Sequence, residues 1–210
     1  MKTIDGLPLP DAILIMAIQT FVERGYEKAS MDEVAARAST TKRTVYAHFG
    51  SKEGLFRAAL ARAVELFLSE LPALADTSDP RAELERFANR FSDLCTWRGA
   101  VRLQRVAMAE AERFPDLGAM LHREVIEAAQ RVVADYLAKL PDRDNLAERA
   151  GDLASLFLNM TTGPQRFATL LEAREPPVDH PDVTPAPGDD RAYIERAVEV
   201  FLIGSGLLRR

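Results

Sequence analysis

Apolar residues recur at helical spacing along nearly the whole chain, and no stretch shows sustained alternation of apolar and polar residues. A spacing of three and four places side chains on one face of a helix, whereas a half-buried strand needs a period of two. Leu14, Ile18 and Phe21 form the first such stripe. The sequence therefore predicts an all-α fold.

Composition narrows the class of protein. Hydrophobic residues make up 47% of the chain, which is enough for a packed core. The formal net charge is −5, so any binding of nucleic acid must depend on a local basic patch. The lone Cys95 excludes an internal disulfide framework, and we expect it to be a buried structural thiol. Residues 1–10 do not have the pattern of a signal peptide, and no apolar run approaches the ~20 residues of a membrane span. These features predict a soluble cytoplasmic protein with no membrane partner.

Helix signals divide the first 71 residues. Asp11 is a candidate N-cap of the first helix, and Gly25 is placed to end it. Ser30 and Glu33 have the spacing of a capping box at the start of a second helix. Thr40 or Thr41 can cap a third helix, which runs to about Phe49. Ser51 can cap a fourth helix over 51–71.

The rest of the chain predicts longer helices. Pro115 makes a sharp break, because proline cannot continue a helix and restricts the residue before it. Five prolines within 173–190 predict a connecting loop. The predicted helices cover 80–97, 99–113, 115–139, 145–171 and 190–208.

Residues 30–49 have the size of a helix-turn-helix, whose second helix enters the DNA major groove. No acidic residue lies between Val34 and Lys52, although the chain as a whole is acidic. Arg43, near the start of the second helix, is our candidate for guanine readout, and Lys42 could contact a base or a phosphate. The helix N-termini at Ser30 and Ser51 could each bind a phosphate.

The run from Leu14 to Phe56 resembles the TetR family of bacterial repressors. The string Thr-Val-Tyr-Ala-His-Phe-Gly-Ser-Lys-Glu-Gly-Leu-Phe at 44–56 is the most specific part of the match. The resemblance implies a three-helix DNA-binding unit, a connecting fourth helix and a helical C-terminal domain that dimerises and binds inducers. Patterning and resemblance together predict as DNA contacts Ser30, Arg37, Thr40, Thr41, Lys42, Arg43, Thr44, Tyr46, His48 and Lys52.

Two features depart from the family pattern. The turn usually contains Gly-Val, whereas this chain has Ser39-Thr40, and a serine at that position must tolerate the backbone conformation that glycine favours. Basic residues often precede the first helix, whereas only Lys2 is present here.

The stretch Arg105–Leu117 resembles the subgroup with an AefR-like C-terminal domain. The predicted division is a helix-turn-helix domain over 1–50 and a helical ligand-sensing and dimerisation domain over 51–210. Ligand sites in helical proteins lie between helices, although aromatic and methionine residues at helical spacing also fill cores. The candidate pocket residues are Trp97, Arg105, Met108, Met120, Leu121, Phe157 and Met160.

The last two predicted helices carry wide apolar faces, which suggest a four-helix interface between two subunits. The alternative is that these faces only complete the core of one chain. The candidate dimer residues are Leu156, Pro164, Phe167, Ile194, Val198, Phe201, Leu202 and Leu208.

Enzymatic chemistry is not predicted. No nucleophile motif or phosphate-binding loop occurs, and His122 and His180 are isolated in the sequence, so we expect no catalytic site, metal or cofactor. The sequence predicts a homodimeric regulator that binds a pseudo-palindromic operator and is released by a small molecule, through a hinge at 50–54 and helix 4. The alternatives are a constitutive DNA-binding regulator without a pocket, and a helical enzyme that has inherited the motif.

Overall fold

A computed structural model describes residues 6–141, 145–183 and 188–208, and these residues contain helices but no strands. The fold class is therefore confirmed. None of the described helices combines the length and apolar character needed to cross a membrane. Lys2, which precedes the first helix, lies outside the described residues.

The helices follow one another closely along the chain. The bounds are α1 Leu9–Lys28, α2 Met31–Arg37, α3 Lys42–Phe49, α4 Lys52–Ser69, α5 Pro80–Thr96, α6 Arg98–Ala109, α7 Pro115–Leu121, α8 Ala128–Leu137, α9 Leu146–Leu170 and α10 Gly188–Gly204. A π-helical segment, His122–Glu127, lies between α7 and α8.

Helix α1 begins earlier than the sequence signals predicted. Asp11 lies in its first turn rather than at its cap, because Pro10 occupies the second helical position, where a missing N–H costs nothing. Gly25 adopts a positive φ of 73° and kinks the helix, as its placement predicted, but one further turn follows it.

Local capping explains where α2, α3 and α4 begin. The Ser30 hydroxyl accepts a hydrogen bond from the Glu33 N–H at 3.1 Å, and the Thr41 hydroxyl accepts one from Thr44 at 3.2 Å. The Ser51 hydroxyl does the same for the N–H of Gly54 at 3.0 Å. Side-chain oxygens thus satisfy amide groups that have no partner within the helix. The capping box is only half formed, because the Glu33 carboxylate pairs with arginines instead of returning to Ser30.

The chain forms two compact units, and the first consists of residues 1–69 together with 102–121. Its core joins buried residues of α1 to α4, including Phe21, Val34 and Phe56. Phe114 belongs to the same core, with its ring 5.3 Å from that of Tyr26. This compact unit therefore reaches beyond residue 50, because a distant segment supplies part of its core. The division into a DNA-binding domain over 1–50 and a sensing domain over 51–210 stays a prediction.

Polar contacts also fix residues 102–121 within the first unit. Arg57 on α4 binds the Asp116 carboxylate through Nη1 and Nη2, the latter at 3.2 Å, and its Nε donates to the Glu53 carboxylate at 2.9 Å. The Asp116 contact raises the pKa of Arg57 and lowers that of the carboxyl. Arg113 pairs with Glu27 of α1.

Helix α4 starts tightly against the end of α3. A Cβ on Gly54 would overlap the backbone carbonyl oxygen of Phe49, so only glycine permits this approach. Gly54 thus makes a close packing contact within the predicted hinge at 50–54, and the hinge itself stays a prediction.

The second unit comprises residues 70–101 and 122–210, of which the described part contains α5, α8, α9 and α10. Helix α9 packs against both α5 and α8, and α10 packs against α5 and α9. Phe157 and Phe201 meet at a ring distance of 5.1 Å inside it. Cys95 is fully buried, and burial raises the pKa of its thiol to about 11, which supports a structural role.

Candidate nucleic-acid interface

One face of α3 is buried and the opposite face is exposed. Val45 is fully buried in the core of the first unit, and Phe49 packs against that core from its edge. The exposed side chains of α3 are Lys42, Arg43, Tyr46, Ala47 and His48. The helix therefore presents a short face of cationic, hydroxyl and imidazole groups, the types that read base edges and phosphates.

The turn between α2 and α3 is closed by backbone hydrogen bonds despite the absence of glycine. The N–H of Thr40 donates to the carbonyl of Ala35 at 2.9 Å, and that of Ser39 donates to Ala36 at 3.2 Å. Ser39 has a φ of 51°, in the left-handed region that glycine favours. A non-glycine residue there costs roughly 1 kcal/mol, which the rest of the turn must offset.

Arg37, a predicted DNA contact, is held by carboxylates of its own chain. Its guanidinium bonds to Glu23 of α1 at 2.6 Å and to Glu33 of α2 at 2.9 Å. The hydrogen bond from Arg37 lowers the pKa of Glu23, and the Glu23 carboxylate raises that of Arg37. This arginine braces α2 against α1, and its predicted contact with DNA stays a prediction.

Lys42 and Lys52 also have partners. The Lys42 ammonium pairs with Asp32 at 2.7 Å, which raises the pKa of the lysine. Lys52 donates to the backbone carbonyl of Glu27 at 2.9 Å and lies 4.7 Å from the centre of the Tyr26 ring. The segment without acidic residues thus receives carboxylates from neighbouring elements, a feature that linear charge patterning could not reveal.

Arg43 differs from these cations. It is exposed, and it makes no hydrogen bond or ion pair with any residue that the structure describes. Tyr46 lies one turn further along α3 with 41% of its surface exposed. The hydroxyls of Thr41 and Thr44 lie 2.9 Å apart at the start of the helix. Thr41, which caps α3, and the first five residues of the helix therefore offer one guanidinium and three hydroxyls to a partner.

The other predicted contacts lie around this face. The Ser30 hydroxyl caps α2, and Thr40 is half-buried in the turn. His48 is exposed with its ring 6.0 Å from that of Phe49. The fold places these residues on α2, the turn and α3, as a helix-turn-helix requires, while their individual contacts with DNA stay predictions.

The predicted pocket residues are divided between the two compact units. Met120 and Leu121 pack against the core of the first unit, and Met108 is 55% exposed. In the second unit, Phe157 is fully buried against Phe201, and the Met160 carbonyl accepts a hydrogen bond from Tyr193 at 3.0 Å. Trp97 lies in the second unit and Arg105 in the first. The pocket itself stays a prediction.

The predicted dimer residues fall into two groups. Leu156, Pro164 and Phe167 on α9 are exposed, as is Leu208. The α10 residues are buried within the chain's own core, which corrects the prediction that they form an outward face. This buried group is Ile194, Val198, Phe201 and Leu202.

Sequence reasoning missed the outward apolar residues of α10. Val200 is 59% exposed and Ile203 is 36% exposed. Both helix faces carry apolar residues at helical spacing, so the pattern did not indicate which face packs inward. Leu171, just past the end of α9, is exposed in the same way.

Comparison with known proteins agrees with this geometry. Residues 13–59 match the family model described as bacterial regulatory proteins, tetR family. Residues 82–204 match the model of the AefR-like transcriptional repressor, C-terminal domain.

Two curated relatives are similar over part of the chain. The transcriptional repressor BepR of Brucella suis is 31% identical over 69% of this chain and 68% of its own length. The transcriptional activator FasR of Mycolicibacterium smegmatis is 43% identical over 39% of this chain, a match that spans only 37% of FasR.

Solved structures share the fold over almost the full chain. A TetR-family regulator from Mesorhizobium loti superposes with a TM-score of 0.75 at 21% identity, covering 92% of this chain and 95% of that one. The flavonoid-responsive regulator FrrA gives 0.70 at 25% identity, covering 93% and 96%. The chain therefore belongs to the TetR family of DNA-binding transcriptional regulators, with an AefR-like C-terminal domain.

Proposed function

We propose that this regulator is a homodimeric repressor that binds a pseudo-palindromic operator and is released from it by a small molecule. The observation that carries the proposal is the outward face of α3, where Arg43 is exposed without an ion-pair partner among the described residues. We further propose a cytoplasmic location and no enzymatic activity.

Arg43 is the proposed base-reading residue. A guanidinium can donate two parallel hydrogen bonds to the O6 and N7 acceptors of guanine, and an exposed arginine loses no internal partner when it does so. Tyr46 and the hydroxyls of Thr41 and Thr44 lie along the same helix and suit phosphates or base edges.

Lys42 is proposed to contact phosphate. Its ammonium is bound to Asp32, but both side chains are more than half exposed, and such surface ion pairs contribute little to stability. A DNA phosphate can therefore replace the Asp32 carboxylate. Arg37 and Lys52 hold neighbouring elements in place and contribute positive potential near the groove.

A second copy of this chain is the proposed occupant of the exposed apolar face on α9 and α10. Leu156 and Phe167 on α9 and Leu171 just past its end follow one another at helical spacing, with 56%, 65% and 63% of their surfaces exposed. Val200 and Ile203 add an apolar stripe on α10. An apolar face of this kind on adjacent helices suits a four-helix interface around a twofold axis.

Operator symmetry follows from dimerisation. One recognition helix of eight residues reaches few base pairs, so specific binding needs two helices in successive major grooves. The two half-sites then lie about 34–36 Å apart, one turn of DNA.

Release by a small molecule is supported by two relatives. BepR is named a repressor, and FrrA is named as flavonoid-responsive. Residues 102–121 are packed into the same compact unit as α1 to α4, so movement of α6 or α7 acts directly on the DNA-binding helices. A ligand that prefers the arrangement with the wrong half-site spacing would release DNA.

The constitutive alternative has one observation in its favour. Phe157, a candidate pocket residue, is fully buried against Phe201 and so fills space that a ligand would need. A ligand that raises the melting temperature and weakens operator binding would argue against this alternative. A compound library without any such effect would favour it.

Fluorescence anisotropy tests the core of the proposal. DNA selected from a random library is compared with scrambled DNA at two salt concentrations. We expect a specificity ratio of about 10³ or more with a steep salt dependence. Equal weak binding to both DNAs would contradict an operator-binding regulator, whatever the ligand does.

A further inference from the structure

A cluster of possible metal ligands lies within the second unit, outside the DNA-binding face. It consists of Glu70, which directly follows α4, with His180 and Asp182 from the segment after α9. One ligand atom from each residue lies within 4.8 Å of the other two. No other group of three His, Cys, Asp or Glu residues in the described part of the chain meets that condition.

The hydrogen bonding around His180 is incomplete. Its Nε2 lies 3.3 Å from the Glu70 carboxylate, and its Nδ1 lies 3.4 Å from the Asp182 carboxylate. The backbone N–H of Asp182 also points to Nδ1, at 3.4 Å. A neutral imidazole has a single N–H, so it can donate to one carboxylate only. When Nδ1 accepts a hydrogen bond from the backbone, it has no proton to donate to the Asp182 carboxylate, and its lone pair faces the carboxylate oxygen. A cation bound between them would interact favourably with both the imidazole nitrogen and the carboxylate.

Arg90 balances only part of the negative charge of the two carboxylates. Arg90 of α5 contacts Glu70 at 2.5 Å and Asp182 at 2.9 Å, so one guanidinium serves two carboxylates. The Arg90 Nε also donates to the backbone carbonyl of Glu70 at 3.3 Å. Arg90 can therefore stay anchored by that carbonyl when the Glu70 carboxylate turns to a metal ion.

We propose that Glu70, His180 and Asp182 bind a divalent cation of the zinc class. One imidazole and two carboxylates form a donor set that Zn²⁺ accepts, with water in the fourth position. Ligand bonds of about 2.0–2.2 Å require the three donors to draw closer. Asp182 can make this adjustment because it is 64% exposed and lies in a turn between helices.

The protein carries its own reporter of this site. Trp97 is the single tryptophan of the chain, and its ring lies 5.1 Å from that of His180, edge to face. A paramagnetic ion bound at His180 would quench the fluorescence of Trp97, and Zn²⁺ bound to the same ligands would prevent the quenching.

The experiment uses the full chain, free of any affinity tag and treated with chelator. Calorimetry with Zn²⁺ should give one saturable site per chain, and Ni²⁺ should quench Trp97 in a manner that Zn²⁺ reverses. His180→Gln should weaken Zn²⁺ binding about tenfold or more, and Glu70→Gln should act in the same direction. Arg90→Gln should strengthen binding, because a competing guanidinium is gone.

His122→Gln is the matched control. His122 is an exposed histidine beside a carboxylate, at 3.2 Å from Glu127, but no second carboxylate pairs with it in the part of the chain that the structure describes. Zn²⁺ affinity should be unchanged in this variant. The proposal is overturned by the absence of a saturable site, or by an affinity that His180→Gln leaves unaltered.

Discussion

The two compact units expose surfaces of opposite character. In the first unit, the exposed residues of α3 are mostly polar or charged. Tyr46 is the one large hydrophobic side chain exposed on this helix, and it also carries a hydroxyl that could contact DNA. In the second unit, α9 exposes Leu156 and Phe167, and α10 exposes Val200 and Ile203. The first surface suits a polyanion, and the second suits a copy of itself.

Each unit leaves exposed the kind of surface that its proposed partner would cover. Arg37 and Lys42 are already bound to carboxylates of the same chain, and Lys52 is bound to a backbone carbonyl. What distinguishes the face is therefore the unpaired Arg43 rather than a high local charge. On α9, by contrast, Phe167 has two thirds of its surface exposed. Contact between this apolar surface and water is unfavourable.

The extent of the first unit can be tested at Phe114. Phe114→Ala removes a buried ring that contacts Tyr26 and Phe56, and it should lower the free energy of unfolding by about 3–5 kcal/mol. Chemical denaturation measures the change. Met108→Ala, at an exposed position of α6, should change it by less than about 0.5 kcal/mol. Equal effects would mean that residues 102–121 are not part of this core.

The apolar surface of the second unit can be tested at Phe167. Phe167→Asp places a charge on the exposed face of α9 and should convert the proposed dimer to a monomer, with operator affinity lower by about 100-fold because the two half-sites are no longer bound together. Light scattering and anisotropy measure the two effects. Val178→Asp is the control, since Val178 is 60% exposed but lies in the segment after α9. A Phe167→Asp variant that stays dimeric would refute the proposed interface.

The sequence predicted the first unit better than the second because its signals are local. Ser30, Thr41 and Ser51 each cap the helix that follows by accepting a hydrogen bond from the N–H three residues further along the chain. Their roles can therefore be inferred from spacing alone. The face of α10 that packs inward depends on contacts with α5 and α9, and apolar residues occur on both sides of that helix. Spacing could not distinguish them.

Long-range packing also explains the other differences from prediction. Phe114 enters the first core from a segment far along the chain, and Glu70 meets His180 in the same way. Likewise, the segment between Val34 and Lys52 has no acidic residue of its own, yet the fold brings Glu23 and Asp32 to its cations. Charge and ligand spacing along the chain therefore predict a site only where its residues are close in sequence.

The polar surface of the first unit can be tested by comparing Arg43 with its neighbour. Arg43→Ala should lose about 1–3 kcal/mol of operator binding, mainly at one base position, because a bidentate contact to guanine is removed. Lys42→Ala should weaken binding to all sequences similarly and reduce the salt dependence. Anisotropy with single-base operator variants separates the two patterns. Equal losses on operator and random DNA for both variants would refute base readout by Arg43.

The smallest effect concerns the turn that connects the two DNA-binding helices. Ser39→Gly relieves a positive φ of 51°, but glycine also gives the unfolded chain more freedom. The net result should be a gain of about 0.5–1 kcal/mol in the free energy of unfolding. Operator affinity should not change, because the hydrogen bonds from Thr40 to Ala35 and from Ser39 to Ala36 hold the turn in either variant.

Ala36→Gly is the matched control for this substitution, because Ala36 is an exposed residue within α2 where glycine offers no conformational relief. It should destabilise the protein by about 0.5–1 kcal/mol, opposite in sign to Ser39→Gly. Denaturation curves for both variants decide the matter. If both glycines destabilise equally, Ser39 carries no strain, and the turn tolerates serine because of its own side chain rather than through the surrounding hydrogen bonds.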